Sequence, residues 1–457
     1  MVKKIISAVI ALTMVMGMCS CGDNASSDPV SKPASSLSGS SEPVTKTEPD
    51  EPEPTYGGEV VELTADKKFK PASDNQKNDE KFVSGLGSFS VELFKRTVQK
   101  DLTADGKNTL VSPESVAFAL GMVQNGADGN TLKQMQDVIC KGVDQDTFNK
   151  NMNLLISNAD KNNTEKSKLS IANSVWVKDK DSLTLNEQFA KNCKELYNAE
   201  FFKAAFDMTT VEKLNSWVKE KTDDMIPKLI DRFSPNEIMC LVNCVAFDSE
   251  WEVQYKDTQV KKDQKFTNAK GEKVDCTMLS STESIYVENG KAKGFIKNYK
   301  GGKYAFMAVL PNEDTDIANY VASMSDDEIA ALYSGRTDRY DVIAKLPQFK
   351  FDYGAELVDT LSDMGIKDAF SVNADFSKLF NNTYSAINRV IHKTHIELDA
   401  KGTKAAAATA VIMDENAMAV TEEPKSVILD RPFVFAIMDT ETGLPVFLGT
   451  VCDPSAE

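Results

Sequence analysis

The hydrophobic period changes partway along this 457-residue chain, and that change limits the possible folds more than any other feature. From about Lys81 the apolar residues recur at helical spacing, with Phe89, Leu93, Phe94 and Val98 on one face. Ser112-Pro113 reads as a helix start, with Ser as N-cap and Pro in the first turn, and Val116, Ala119, Leu120 and Val123 continue on one face. Thr131 with Gln134, and Thr209 with Glu212, have capping-box spacing ahead of Met135, Val138 and Ile139, and of Leu214, Trp217 and Val218. Later the pattern shortens to strands. Ile238–Phe247, Tyr304–Leu310, Val342–Leu346, Ser385–Leu398, Ser426–Leu429, Phe433–Met438 and Pro445–Val451 are rich in β-branched or aromatic residues between turn formers. Helical and strand patterns are partly segregated, which places the body in the α+β class.

The N-terminus has a different character. Lys3 and Lys4 precede an apolar run from Ile5 to Met18, too short to span a bilayer comfortably. Met18-Cys19-Ser20-Cys21-Gly22 follows and resembles a bacterial lipoprotein box. Residues 1–20 are therefore expected to be a signal peptide and Cys21 the lipidated residue, with ordinary secretion as the other reading. Residues 21–80 are expected to be a disordered Ser/Pro/Glu-rich tether, since six of the 16 prolines lie between Pro29 and Pro54 and few large apolar side chains accompany them. The body then occupies 81–457. The expected location is the outer face of the cell membrane, held by the lipid on Cys21 or released from it. The net charge of −17, from 52 basic and 69 acidic residues, becomes about −19 once a leader with two lysines and no acids is removed. Such a surface does not suit nucleic acid. Contact with a membrane is expected through the lipid alone.

The six body cysteines, Cys140, Cys193, Cys240, Cys244, Cys276 and Cys452, are scattered and read as buried free thiols. Cys240 and Cys244 on one strand lie roughly 13 Å apart, too far for a disulfide. Neither a phosphate-binding GxxxxGK[ST] nor a dinucleotide GxGxxG nor HExxH is present. The two histidines, His392 and His395, are three apart on one strand and so point to opposite faces. No GxSxG elbow places a nucleophile beside either. Asp223-Asp224 and Asp326-Asp327-Glu328 read as solvated faces. No cofactor, metal or enzymatic turnover is expected.

Several segments, in order, resemble one family. VIHKTHIELDAKGTKAAAATA (390–410) and RPFVFAIMDTETGLPVFLGTVCDP (431–454) look like the hinge and closing strands of a serpin. NTLVSPESVAFALGMVQNGADGNT (108–131), NCVAFDSEWE (243–252) and KLPQFKFDYGAELVDTLSDMGIKDAF (345–370) resemble its early helix, central strand and the segment before the mobile loop. The resemblance implies a single domain of three β-sheets with eight to nine helices and an exposed reactive-centre loop. It also implies a monomeric serine protease inhibitor that acts as a suicide substrate. The protease attacks the loop, forms an acyl-enzyme, and is trapped when the loop enters the central sheet; the covalent partner is the target protease. A non-inhibitory serpin, binding or structural, is the alternative.

The residues can be checked against that mechanism. A strand entering a sheet must alternate faces. One face of the hinge is Thr403, Ala405, Ala407, Thr409, Val411 and Met413, which is uncharged; the other is Lys404, Ala406, Ala408, Ala410, Ile412 and Asp414, charged only at its ends. Gly402 starts it. Taken alone, KAAAATA would read as a short helix. Where inhibitory serpins commonly carry Glu, two residues before and after that glycine, this chain has Ala400 and Lys404. Family spacing places the reactive bond between Asn416 and Ala417, with Glu415 or Met418 as alternatives in a shifted register. Small or unbranched neighbours, and the lack of Lys or Arg between 405 and 424, suit elastase- or subtilisin-like proteases. The resemblance further implies that Ser112, Ser115, Asn243 and His392 form a hydrogen-bonded cluster where the sheet opens, with Trp251 plugging its top.

Overall fold

The computed structural model describes residues 55–73, 75–181, 183–381, 385–403 and 423–456, together with the backbone of a strand at 9–17. Cys21, Ala405, Ala406, Ala407 and Ala408, and the bond region Glu415, Asn416, Ala417 and Met418, lie outside the described residues.

The largest sheet contains eight strands, here numbered in chain order: β1 (Val9–Gly17), β2 (Val60–Glu62), β3 (Ser167–Lys178), β4 (Glu200–Ala204), β5 (Glu237–Glu250), β6 (Phe349–Glu356), β7 (Ala386–Leu398) and β8 (Gly402–Thr403). Across the sheet they run β6, β7, then β1 and β8 in one lane, then β5, β3, β4 and β2. A second sheet has six strands, from Ile285–Glu288 at one edge to Thr109–Val111 at the other. A third has four strands, Lys425–Ile428, Val342–Pro347, Lys273–Glu283 and Val260–Thr267. A two-residue ladder joins Phe380–Asn381 to Thr184–Leu185. Nine α-helices surround these sheets among the described residues.

The helices follow from local chemistry. The first, α1 (Glu80–Asp105), begins where the Asp79 carboxylate accepts the Phe82 N–H and ends at Gly106 in the left-handed conformation. The second, α2 (Pro113–Gln124), is buried along its whole length, which its nearly continuous apolar sequence permits. Ser112 caps it as expected, accepting from the Ser115 N–H. Two expected starts are corrected. The helix Gly129–Cys140 is capped by Asp128, and the helix Met208–Lys221 by Asp207, so Thr131 and Thr209 lie inside their helices. An aspartate two residues earlier in Asp207-Met-Thr reaches the free N–H of Thr210, and the threonine is not needed as a cap.

β5 is apolar on both faces from Ile238 to Phe247, Asn243 excepted, because both of its faces are covered. Met239 and Leu241, with Val245 and Phe247, pack into the cores behind the sheet. Cys240, Val242, Cys244 and Ala246 pack beneath the helix Met208–Lys221 with Leu214, Trp217 and Val218. The first half is less purely helical than its pattern suggests. β3 holds Asn173 and Ser174 buried at its centre, the former donating to the Tyr197 carbonyl and the latter accepting from the Trp176 indole, so its hydrophobic alternation is interrupted.

Part of the segment expected as tether, from Thr55 onward, packs against the body. β2 pairs with β4, the Leu63 N–H reaches the Phe201 carbonyl at 2.7 Å, and the Thr64 hydroxyl accepts from the Phe201 N–H at 3.0 Å. β4 would otherwise present an open edge, and even a polar segment gains by covering unpaired backbone groups. Five of the six body cysteines are buried as free thiols and Cys276 is half-buried.

Candidate functional site

The chain reverses direction where β7 ends. The Asp399 carboxylate accepts the N–H groups of Lys401 (2.7 Å) and Gly402 (3.2 Å), and the Asp399 N–H donates to the Gly402 carbonyl. This tight turn aims the chain back down the sheet as β8, between β7 and β5. Thr403 sits opposite Leu398 on one side and Ser249 on the other. Burial pushes the Asp399 carboxyl above its usual range, against the lowering effect of those two N–H donors.

Aromatic residues hold this corner. Trp251 is 1% exposed and stacks on Tyr299 with centroids 4.5 Å apart. Its indole donates to the Asp399 carbonyl at 2.9 Å and its N–H to the Lys401 carbonyl at 2.8 Å. The Tyr255 N–H donates to the Ala400 carbonyl at 3.0 Å. Thr403 is fully buried, with its hydroxyl 2.5 Å from that of Tyr299. The Lys297 ammonium pairs with Glu283 at 2.8 Å and lies 4.6 Å from the Tyr255 ring centroid. The hinge backbone is therefore already seated in the sheet, and the buried Thr403 side chain meets a polar partner in the Tyr299 hydroxyl.

Lower in the same lane lies the histidine cluster. Ser112 donates its backbone N–H to His392 Nε2 at 3.2 Å, while the Ser115 hydroxyl donates to Asn243 Oδ1. The Asn243 amide donates to Asn173 Oδ1 at 2.7 Å, and Asn173 in turn to the Tyr197 carbonyl. The first turn of α2 thus reaches both sides of the lane: His392 on β7 through Ser112, and Asn243 on β5 through Ser115. His392 and Asn243 are each register partners of residue 12 in β1, so that strand stands between them. Burial drives the His392 imidazole down to about 3 and keeps it neutral. Because Nε2 accepts, the single proton sits on Nδ1, which has no partner among the described residues. His395 faces the opposite way and bonds the Asp352 carboxylate, which it holds below its usual range.

All five residues named for sheet opening lie along one lane: Trp251 at the top, beside Gly402 and Thr403, and Ser112, Ser115, Asn243 and His392 at its middle. Three participants were missed by sequence reasoning. Tyr299 comes from a Lys-Gly-Gly turn segment with no strand signal of its own. Asn173 is hidden in the interrupted pattern of β3. Asp399 had a usable signal, a carboxylate three residues ahead of a glycine that needs its N–H fixed.

A family model described as Serpin (serine protease inhibitor) matches residues 84–454. An uncharacterised serpin-like protein of Thermococcus kodakarensis is 30% identical over 375 residues, covering 81% of this chain and 85% of its own. A serine protease inhibitor of Cyanea capillata is 29% identical, covering 77% and 93%. The crystal structure of the thermophilic serpin tengpin in its native state superposes with a TM-score of 0.77 at 38% identity, covering 86% of this chain and 99% of that one.

Proposed function

The chain belongs to the serpin family, and on that premise we propose that it inhibits serine proteases of elastase- or subtilisin-like specificity as a suicide substrate. The protease serine attacks a peptide carbonyl near Asn416-Ala417, the amine side leaves with its proton, and an ester joins the two proteins. The freed N-terminal arm of the loop then continues β8 down the lane between β5 and β7. Water completes hydrolysis only if that insertion is slower than deacylation.

The observation that carries this reading is the position of Gly402 and Thr403. They already form a two-residue strand paired on both sides, and the run from Ala405 to Met413 that follows them in sequence contains no charged residue. Insertion would add backbone pairs and bury small or apolar side chains, both of which are favourable. Placement at the outer face of the membrane through a lipid on Cys21, and action as a monomer, belong to the same proposal.

The test is thermal unfolding of the processed chain beginning at Cys21, before and after nicking of its loop by a protease. A large rise in Tm supports insertion. An unchanged Tm would reduce the protein to a non-inhibitory serpin.

A further inference from the structure

The lane that the loop must enter is already filled. β1 runs antiparallel to both β5 and β7 over nine residues, with Val9 opposite Ala246 and His395 and Gly17 opposite Glu237 and Ala386. β8 runs the same way in the same lane, with Thr403 opposite Ser249 and Leu398. Ala246 lies three residues from Ser249 on β5, and His395 three from Leu398 on β7. A chain continuing from Thr403 in register would therefore bring Ala406 to the place of Val9 from either side, and Ile412 to the place of Val15, after which β1 shifts register on both sides. Both segments are suited to that place by composition. The leader run from Ile5 to Met18 carries no charge, and neither does 405–413.

We propose that in the unprocessed chain the leader strand occupies the loop's own insertion site, so that leader retention and protease trapping exclude one another. The proposal rests on the trapping reading above. A lane whose backbone N–H and C=O groups are already paired on both sides offers nothing to a second strand. The tether is long enough to allow this arrangement: residues 18–54, at roughly 3.3 Å each, could span on the order of 100 Å, ample to join the foot of β1 to Thr55. The expected processing site before Cys21 lies a few residues past the end of β1, so cleavage there would convert the strand from a tethered element to a free peptide. An unexported precursor would in this way be harmless to proteases inside its own cell.

The experiment compares the full chain with its Thr13→Pro variant. Thr13 pairs with Ile391 and Val242, and proline in a central strand removes a ladder N–H and does not fit there. Hydrogen exchange of residues 9–17 and the yield of SDS-stable complex with subtilisin or elastase are read on both proteins. The expected result is protected amides and a nicked, uncomplexed product for the full chain, with protection lost and complex raised roughly tenfold or more in the variant. Equal exchange at 9–17 in the two proteins, or equal complex yield, overturns the proposal. If residues 9–17 are protected only in the full chain, yet neither protein nor the chain beginning at Cys21 forms a complex or gains Tm on nicking, the inhibitor reading itself fails, and the exclusion with it.

Discussion

Gly402→Ala is the smallest change that tests whether the hinge must lie inside the sheet. A Cβ built on Gly402 would sit 2.1 Å from the Ser249 carbonyl oxygen, 2.8 Å from Glu250 Cα and 3.0 Å from the Ser249 carbonyl carbon. All three are backbone atoms of β5, so no side-chain rotation relieves the contact. The backbone of β8 must retreat by about 1 Å, which is incompatible with its two register pairs to Glu250 and Ser249. Forced overpacking of this kind costs about 1–3 kcal/mol. If seating of the hinge contributes to the rate of insertion, that range slows insertion by roughly 5- to 150-fold, and the partition shifts towards hydrolysis by the same factor. The assay is the stoichiometry of inhibition of subtilisin or elastase by the processed chain, with circular dichroism to show that the variant remains folded. Because the bond region is untouched in sequence, the loop should still be cleaved at full rate. An unchanged stoichiometry would refute the claim that insertion begins at Gly402.

Other expectations follow from buried polar groups. Glu114 is 3% exposed, and desolvation, reinforced by Asp439 and opposed by Lys303, raises its carboxyl from 4.5 to about 8. The folded state then holds a proton that the unfolded state has released between those values, so stability falls as pH rises through that window, by up to about 1.4 kcal/mol per unit. Glu114→Gln should flatten the pH 5–8 limb of a urea-unfolding series, and an unaltered slope would contradict this. His392 behaves in the opposite sense on the acid side. Its folded value of about 3 lies below the usual 6.5, the unfolded state takes up the proton first, and stability is lost as pH falls below 6.5. His392→Gln should reduce that acid slope, and a slope equal to wild type would show that the imidazole charges in place. Tyr299→Phe removes the hydroxyl that meets Thr403, leaving a buried Thr403 hydroxyl with one partner fewer; a loss of about 1 kcal/mol is expected by urea unfolding. Asp207→Ala removes both the cap of the helix Met208–Lys221 and the acceptor for the Gly58 N–H, and should cost about 1–2 kcal/mol while increasing hydrogen exchange at residues 55–58.

The sequence made some of this visible and hid the rest for identifiable reasons. Strands with one environment on each face, or with both faces apolar such as β5, were legible from their runs of Val, Leu and Phe. β3 was not, because its centre carries buried Asn173 and Ser174, whose hydrogen bonds exist only once β5 and the helix Glu187–Tyr197 are in place. The arm at 55–73 gives no strand signal of its own, because its few apolar residues form no period. What orders it is the unpaired edge of β4, a property of another segment. The histidine lane was reachable through family motifs, and its detail was not: that Ser112 and Ser115 reach His392 and Asn243 from the start of α2 requires β7 and β5 to be brought to the two sides of one lane.

The most direct test is the intact mass of the product formed by the processed chain and subtilisin or elastase. The account predicts one covalent species with the mass of the protease plus the inhibitor, less a C-terminal fragment that begins near Ala417. Recovery of free protease with both halves of a nicked chain, and no such adduct, would contradict it.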